Sequence, residues 1–323
     1  VTALSVSKSI EKAAGCPRYF ALDYLSQDPA FAGSSDLAQT GTDFHRYRSE
    51  LVAHLLREKL QCDNAWARHH LDQMNVTDDA REMILRDIPK FMIDPELVFG
   101  TELFMSVDEQ FQPLEMRETS TPGERPTDPR AFAHATIDLL TIDGDEAVVD
   151  DYKTGYSNVS VSDYEPAHYA ALVFAHFPLV NKVRFRWEFI RAQARKPMEF
   201  DRADLKWIQP MVRSARERAV AILNALQAGD TLPVNPFAGQ CAFCQLSCPV
   251  RESVERGAAD IKPIQSDDDF RALAARYIVT NHWVERASAL MKQYLDFRGT
   301  VELEGGYVAE MRVGTTNEYP LRS

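Results

Sequence analysis

The 323-residue chain has no run of eighteen or more apolar residues, so no helix able to cross a bilayer is expected. Its first residues lack a basic stretch followed by an apolar core. No secretory leader is expected, and a cytoplasmic location is. Repeats and low-complexity tracts are missing too. Hydrophobic residues at 45% and charged residues at 26% exclude wholesale disorder. Positive charge is in deficit, with 36 Lys and Arg against 48 Asp and Glu and a formal net charge of −12. Bulk attraction to nucleic acid is thereby excluded; such a partner must be held by a local basic groove or through bound cations. Cysteine is scarce and odd in number. Of the five, three crowd between positions 241 and 248, which suits metal ligation in a reducing compartment better than a disulfide framework. What remains is ample length for one large or two small domains with a sizeable core.

Thr42 and Asp43 follow Gly41 as candidate helix caps, and Phe44, Tyr47, Leu51, Leu55 and Leu56 then repeat at helical spacing. Uneven helical pattern continues to about Phe91. From Thr101 the pattern shortens to strand-like alternation, and the stretch from Arg117 to Arg130, with three prolines, reads as a surface loop. Two further strands, Phe132–Thr141 and Glu146–Lys153, flank Ile142-Asp143-Gly144-Asp145, a hairpin signal. Val180–Phe189 predicts another strand. A long helix is expected from Asp201, its cap, to Gly229, its stop, with Pro210 kinking it or moving its start. Asp267–Arg298 reads as one more helix, followed by short strands around Gly305-Gly306. Interleaved strands and helices make the class α/β or α+β.

If Asp143-Gly144 forms the turn, Ile142 faces Asp145 and Asp138 lies opposite Val149. Period-two alternation then puts Asp138, Val149, Asp151 and Lys153 on one face, with Asp150 pointing the other way. Two carboxylates this close repel unless positive charge sits between them. Oxygen donors of this kind suit Mg²⁺ or Mn²⁺, with Lys153 orienting a water or stabilising phosphate charge. An ordinary Asp–Lys ion pair on a solvent face fits the same residues.

Asp138 followed by Asp151-Tyr152-Lys153-Thr154-Gly155 resembles the core motif of PD-(D/E)XK nucleases, most closely the RecB-like branch. Gly41-Thr42-Asp43-Phe44-His45 is similar to that branch's Gly-x-x-x-His element, which makes His45 an additional metal ligand. Glu102 falls at an acidic position of the family with no assigned role. Glu165-Pro166-Ala167-His168-Tyr169 sits where the family has Gln-x-x-x-Tyr, with glutamate in place of glutamine. The resemblance implies a restriction-endonuclease-like α/β core, a central mixed sheet flanked by helices. It also implies metal-dependent, exonucleolytic hydrolysis of DNA in repair, recombination or phage DNA processing. Asp138, Asp151, His45 and the Tyr152 carbonyl would hold the Mg²⁺ or Mn²⁺; Lys153 would assist the attacking water; Glu165 and Tyr169 would position it and the phosphate. His168 is expected to pack.

Cys241, Cys244 and Cys248 need a fourth ligand, and Cys16, in Cys-Pro-Arg, suits better than Cys62, which reads as a buried thiol. Four thiolates suit Zn²⁺ or an iron–sulfur cluster. The resemblance, here to the AddB-type and CRISPR-adaptation exonuclease branch, favours a [4Fe–4S] cluster that staples the domain closed. It covers the chain from Cys16 to Cys248, so residues 1–260 are expected to form the nuclease domain and 261–323 an extension. Without a helicase phosphate-binding loop, the chain would act alone or with a motor or recombination partner in trans. Expected DNA is single-stranded or carries free ends. Arg184, Arg186, Arg191, Arg195 and Lys196, or Arg213, Arg216 and Arg218, offer phosphate contacts unless acidic neighbours neutralise them. Tyr19, Phe20, Tyr156 and Tyr164 offer stacking surfaces. The competing class is a catalytically silent or zinc-stapled scaffold of the same fold.

Overall fold

The computed structural model describes residues 4–7, 9–10, 14–21, 36–119, 124–155, 163–232, 300–302 and 308–310. Helices α1 (Asp36–Glu58), α2 (Asn64–Gln73) and α3 (Asp78–Asp87) come first. Strands β1 (Val98–Val107), β2 (Pro113–Glu118), β3 (Ala133–Asp143) and β4 (Glu146–Lys153) follow. After α4 (Tyr164–His176) come β5 (Lys182–Phe189), β6 (Ala194–Asp201) and α5 (Leu205–Gln227). Local chemistry explains the boundaries. Asp63 caps α2 by accepting from the Trp66 amide, and Thr77 caps α3 by accepting from Ala80. Asp78 and Asp79 in the first turn of α3 face the positive end of the helix dipole.

Thr42 and Asp43 do not cap α1, which begins six residues earlier at Asp36. Asp43 is instead an interior, buried residue that accepts from the Thr77 amide at 2.9 Å. Pro210 lies inside α5, and Asp201 forms a capping box with Asp204 on a short 3₁₀ turn before that helix. The expected helix at 267–298 lies outside the described residues. The short strands around Gly305-Gly306 are present as the antiparallel pair β7 (Thr300–Glu302) and β8 (Val308–Glu310).

Six strands form one mixed sheet in the order β2-β1-β3-β4-β5-β6, antiparallel throughout except for the parallel pair β4 and β5. The β3–β4 turn is Gly144-Asp145, not Asp143-Gly144: Asp143 pairs with Glu146 and Leu140 with Val149. Gly144 sits at φ 58°, where only a residue without Cβ is unstrained. The register differs from the expected one by two residues, so β4 and the part of β3 paired with it, residues 139–143, keep their expected faces.

Pairing of β3 with β4 stops at Leu139–Asp150. Beyond that point β3 stays with β1, from Thr101–Leu139 to Val107–Ala133, and β4 stays with β5 through Lys153–Phe189. The sheet therefore forks at Asp138 and Asp151. Strand alternation also slips there: Ile137 and Leu140, three residues apart, both enter the same core. That core lies against α4 and α5 and is built on Phe185, Trp187, Tyr169 and Phe174. A second core, on the other side of the sheet, joins α1, α2 and α3 through Phe44, Tyr47, Leu71 and Ile84 to Leu139 and Tyr152.

A buried polar chain pins the first core at β3. Ser5 Oγ lies 2.8 Å from His134 Nδ1, and His168 Nε2 donates to the His134 carbonyl at 2.9 Å. His168 is thus a packed residue, as expected. Burial, reinforced by the neighbouring His168, holds the His134 imidazole down at about 3. The unfolded chain, with an ordinary histidine, takes up this proton first as pH falls. His134 therefore contributes its full stability above pH 6.5 and loses it progressively toward pH 3, with a slope of at most ~1.4 kcal/mol per pH unit. Urea denaturation at pH 5 and pH 7.5 checks this. The wild-type difference is expected to shrink in His134→Asn.

Candidate metal centre and active site

Three donors from three elements meet at the fork. His45 comes from α1, Glu102 from β1 and Asp138 from β3, and their ligand atoms all lie within 4.8 Å of one another. His45 Nδ1 stands 3.2 Å from Glu102 Oε1 and 3.5 Å from Asp138 Oδ1. The other Asp138 oxygen accepts from the Tyr152 amide at 2.6 Å. A carboxylate thus takes the amide at the first position where the β3–β4 ladder has ended, which fixes Asp138 against β4.

The next face-sharing positions of β4 carry a second constellation. Lys153 Nζ pairs with Asp151 and lies 2.7 Å from Glu165 Oε1 in the first turn of α4. Asp151 is almost fully buried. Trp187 Nε1 stands 3.5 Å from the second Glu165 oxygen. Tyr169, also buried, donates from its hydroxyl to the Thr136 carbonyl at 3.0 Å, tying α4 to the strand that carries Asp138. Asp150 points to the far side of the sheet and binds the Arg186 guanidinium through both oxygens.

The fork therefore brings together His45, Asp138, Asp151, Lys153 and Glu165. It turns Asp151 toward the lysine and adds Glu102 to the donor set. Glu102 had an acidic side chain and its order along the chain to recommend it, and nothing in its spacing marked it as a donor. The backbone does mark it: φ is 46°, a left-handed conformation that costs a glutamate on the order of 1–3 kcal/mol. Residues held that way concentrate at functional sites.

This donor set fits a hard divalent cation. Its members are two carboxylates and one imidazole, with Asp151 close enough to act on His45 electrostatically. Burial opposes a charge on His45, yet Asp138, Glu102 and Asp151 outweigh it and raise the imidazole to about 9. Positive charge at that point is strongly favoured, whether a proton or a cation supplies it.

The two motif segments also touch. A Cβ on Gly41 would stand 3.1 Å from Thr154 Oγ1, so α1 crosses the end of β4 at a distance that only glycine permits without displacement. Gly41 and His45 are one helical turn apart. The close approach at one sets the reach of the other.

Other expectations resolve differently. Cys16 is buried ahead of the single turn Pro17–Tyr19, whereas Cys62 is exposed between α1 and α2 rather than buried. Cys241, Cys244, Cys248 and Tyr156 lie outside the described residues. Phe20 and Tyr164 are buried and offer no stacking face. Among the basic residues, Arg184 pairs with Glu146 and Glu199, Arg186 with Asp150, Arg191 with Asp79 and Arg195 with Glu188. They are neutralised rather than arrayed as a groove. Behind β4 lies a cavity of about 420 Å³. Its charges are matched within its own wall, where Arg48 pairs with Asp87 and lies over the Phe91 ring, 3.5 Å from its centroid.

The fold is a mixed six-stranded sheet flanked by helices, and at its fork carboxylates, an imidazole and a clamped lysine form a candidate site for a hard cation. The chain belongs to the PD-(D/E)XK nuclease superfamily, whose family model matches residues 3–252. No curated protein and no solved structure matches it. Among the described residues, no helix is long and apolar enough to cross a membrane.

Two outcomes are expected from this geometry. Mn²⁺ binding followed by calorimetry weakens by roughly 10- to 100-fold in His45→Ala, Glu102→Gln or Asp138→Asn. Gly41→Val destabilises the fold by about 1–3 kcal/mol in urea denaturation, through overpacking against Thr154. Thr154→Ala in the same chain recovers part of the loss.

Proposed function

We propose that this chain is a Mg²⁺- or Mn²⁺-dependent deoxyribonuclease of the RecB-like branch, acting on DNA ends or single strands. The observation that carries the reading is Lys153 held between Asp151 and Glu165, directly beside the His45–Glu102–Asp138 cluster. The residues that would hold the cation are Asp138, Glu102 and His45, with Asp151 and the Tyr152 carbonyl adjoining. When bound, such an ion supplies Lewis-acid polarisation of a phosphoryl oxygen and eases deprotonation of water.

The protein's own part is positional and electrostatic. Lys153 has its ammonium fixed by two carboxylates, so its charge is in place before negative charge builds on the phosphate. It also orients the water whose oxygen attacks phosphorus as the bond to the leaving oxygen breaks. Glu165 aims Lys153, and Tyr169 keeps α4 in register with β3. A glutamine at position 165 would hold the lysine without a full charge; glutamate holds it more tightly. With Arg184, Arg186, Arg191 and Arg195 already paired, these four are not free for DNA phosphates, and the cation would supply part of the phosphate contact.

The reading extends to a [4Fe–4S] cluster on Cys16, Cys241, Cys244 and Cys248, with Zn²⁺ as the competing occupant. The grouping of three cysteines between positions 241 and 248 supports this, and the reading takes residues 1–260 as the nuclease unit and 261–323 as an extension. A helicase or recombination partner in trans, in DNA repair, recombination or phage DNA processing, completes the proposal.

Hydrolysis of end-labelled single- and double-stranded DNA with Mg²⁺ or Mn²⁺ tests it. Lys153→Ala and Asp151→Asn are expected to lower turnover by at least about 100-fold, and closed circular DNA is expected to resist. Undiminished cutting by either variant, or in the presence of EDTA, rejects the assignment. Anaerobic preparation is expected to give a brown protein containing iron and sulfide, its colour lost in Cys16→Ser. A colourless, zinc-containing protein overturns the cluster.

A further inference from the structure

Arg191 follows β5 in a turn and sits with its side chain 3% exposed. It looks like a DNA-binding arginine in the sequence, but burial on this scale excludes phosphate contact. All three of its guanidinium nitrogens are engaged inside the protein. Nε donates to the Thr154 carbonyl at 2.6 Å, Nη1 donates to Asp79 Oδ1 at 2.7 Å, and Nη2 pairs with Asp79 Oδ2. Thr154 immediately follows Lys153. Asp79 opens α3, and the start of that helix is fastened to α1: Thr40 Oγ1 lies 3.2 Å from Thr77 Oγ1, and Asp43 accepts from the Thr77 amide at 2.9 Å. The helix so fastened is the one that presents His45.

We propose that Arg191 is a positioning residue that locks the His45 helix to the Lys153 strand across the fork. The proposal rests on the nuclease reading above. The two halves of the centre come from opposite layers of the sheet, and no β3–β4 ladder holds them together beyond Leu139–Asp150. The Thr154–Arg191–Asp79 link instead ties the end of β4 to α3, and through Thr77 to α1. A planar guanidinium reaches one carbonyl and two carboxylate oxygens at once; a lysine ammonium cannot reproduce this fork. With the link cut, α1 and β4 keep only packing contacts, Gly41 against Thr154 and Phe44 against Tyr152, and displacement of about 1 Å at a reacting centre costs on the order of 100-fold in rate.

The test compares wild type, Arg191→Met, Arg191→Lys and Asp79→Asn. Three readouts are used: the melting temperature, Mn²⁺ affinity by calorimetry without DNA, and kcat and KM for a labelled DNA strand. The expected result in folded variants is a fall of roughly 10- to 100-fold in kcat, with KM for DNA changed less than about threefold and Mn²⁺ affinity reduced. Arg191→Lys recovers only a fraction. Asp79→Asn, at a partly exposed position, keeps the test alive if Arg191→Met does not fold. Methylguanidine added to Arg191→Met is expected to restore part of the Mn²⁺ affinity. Wild-type kcat and Mn²⁺ affinity in a folded Arg191→Met or Asp79→Asn variant overturn the lock. A loss carried wholly by KM for DNA also overturns it, because that marks a DNA contact. A wild-type protein that binds Mn²⁺ but cuts no DNA refutes the nuclease reading instead, and the Mn²⁺ comparison still judges the lock.

Discussion

The parting of β3 from β4 governs the whole site. Up to Leu139–Asp150 the strands satisfy each other's backbone groups; one residue further they separate, and the Asp138 carboxylate takes over by accepting from the Tyr152 amide. A buried amide without an acceptor is costly. The place where the ladder ends therefore needs an oxygen supplied by a side chain. Because the strands diverge, side chains from both layers reach the same point: His45 from the α1 side, Glu165 from the α4 side. An unforked sheet would keep these two helices on separate faces.

Charge then organises what geometry has assembled. Glu102, Asp138, Asp151 and Glu165 stand together in a chain that is already acidic, and the protein provides Lys153 and His45 to balance them. His45 holds its proton against burial because three carboxylates surround it. The same imbalance that would unsettle an ordinary core makes this point receptive to a divalent ion. On the neighbouring strands Arg184, Arg186 and Arg195 are held in ion pairs as well.

Much of this was legible in the residues alone. Alternation along β4 put Asp151 and Lys153 on one face, and those two side chains meet although the turn sits one residue later than Asp-Gly suggested. The mixed sheet flanked by helices also agreed. Other features depend on distant contacts that no local pattern encodes. The α1 helix begins before its apparent caps because Asp43 is drawn to the start of α3. Glu102 becomes a donor through a backbone twist at φ 46°, which glutamate does not advertise. Arg191 looked like a surface cation because strand alternation and charge say nothing of Asp79, 112 residues earlier. Cys62 read as buried because its surroundings looked helical, whereas it falls in the exposed turn between two helices.

The Gly144-Asp145 hairpin turn carries a consequence for how this protein can vary. It lies at the far end of the β3–β4 pair from the fork, and what it transmits to the cleft is parity. Sliding one strand past the other by two residues leaves Asp151 and Lys153 on their present side. Sliding by one would trade Asp151 for Asp150 and set the wrong carboxylate at the mouth of the fork. Change in this bend is thus constrained twice: the offset must stay even, and position 144 must keep a residue that tolerates a positive φ.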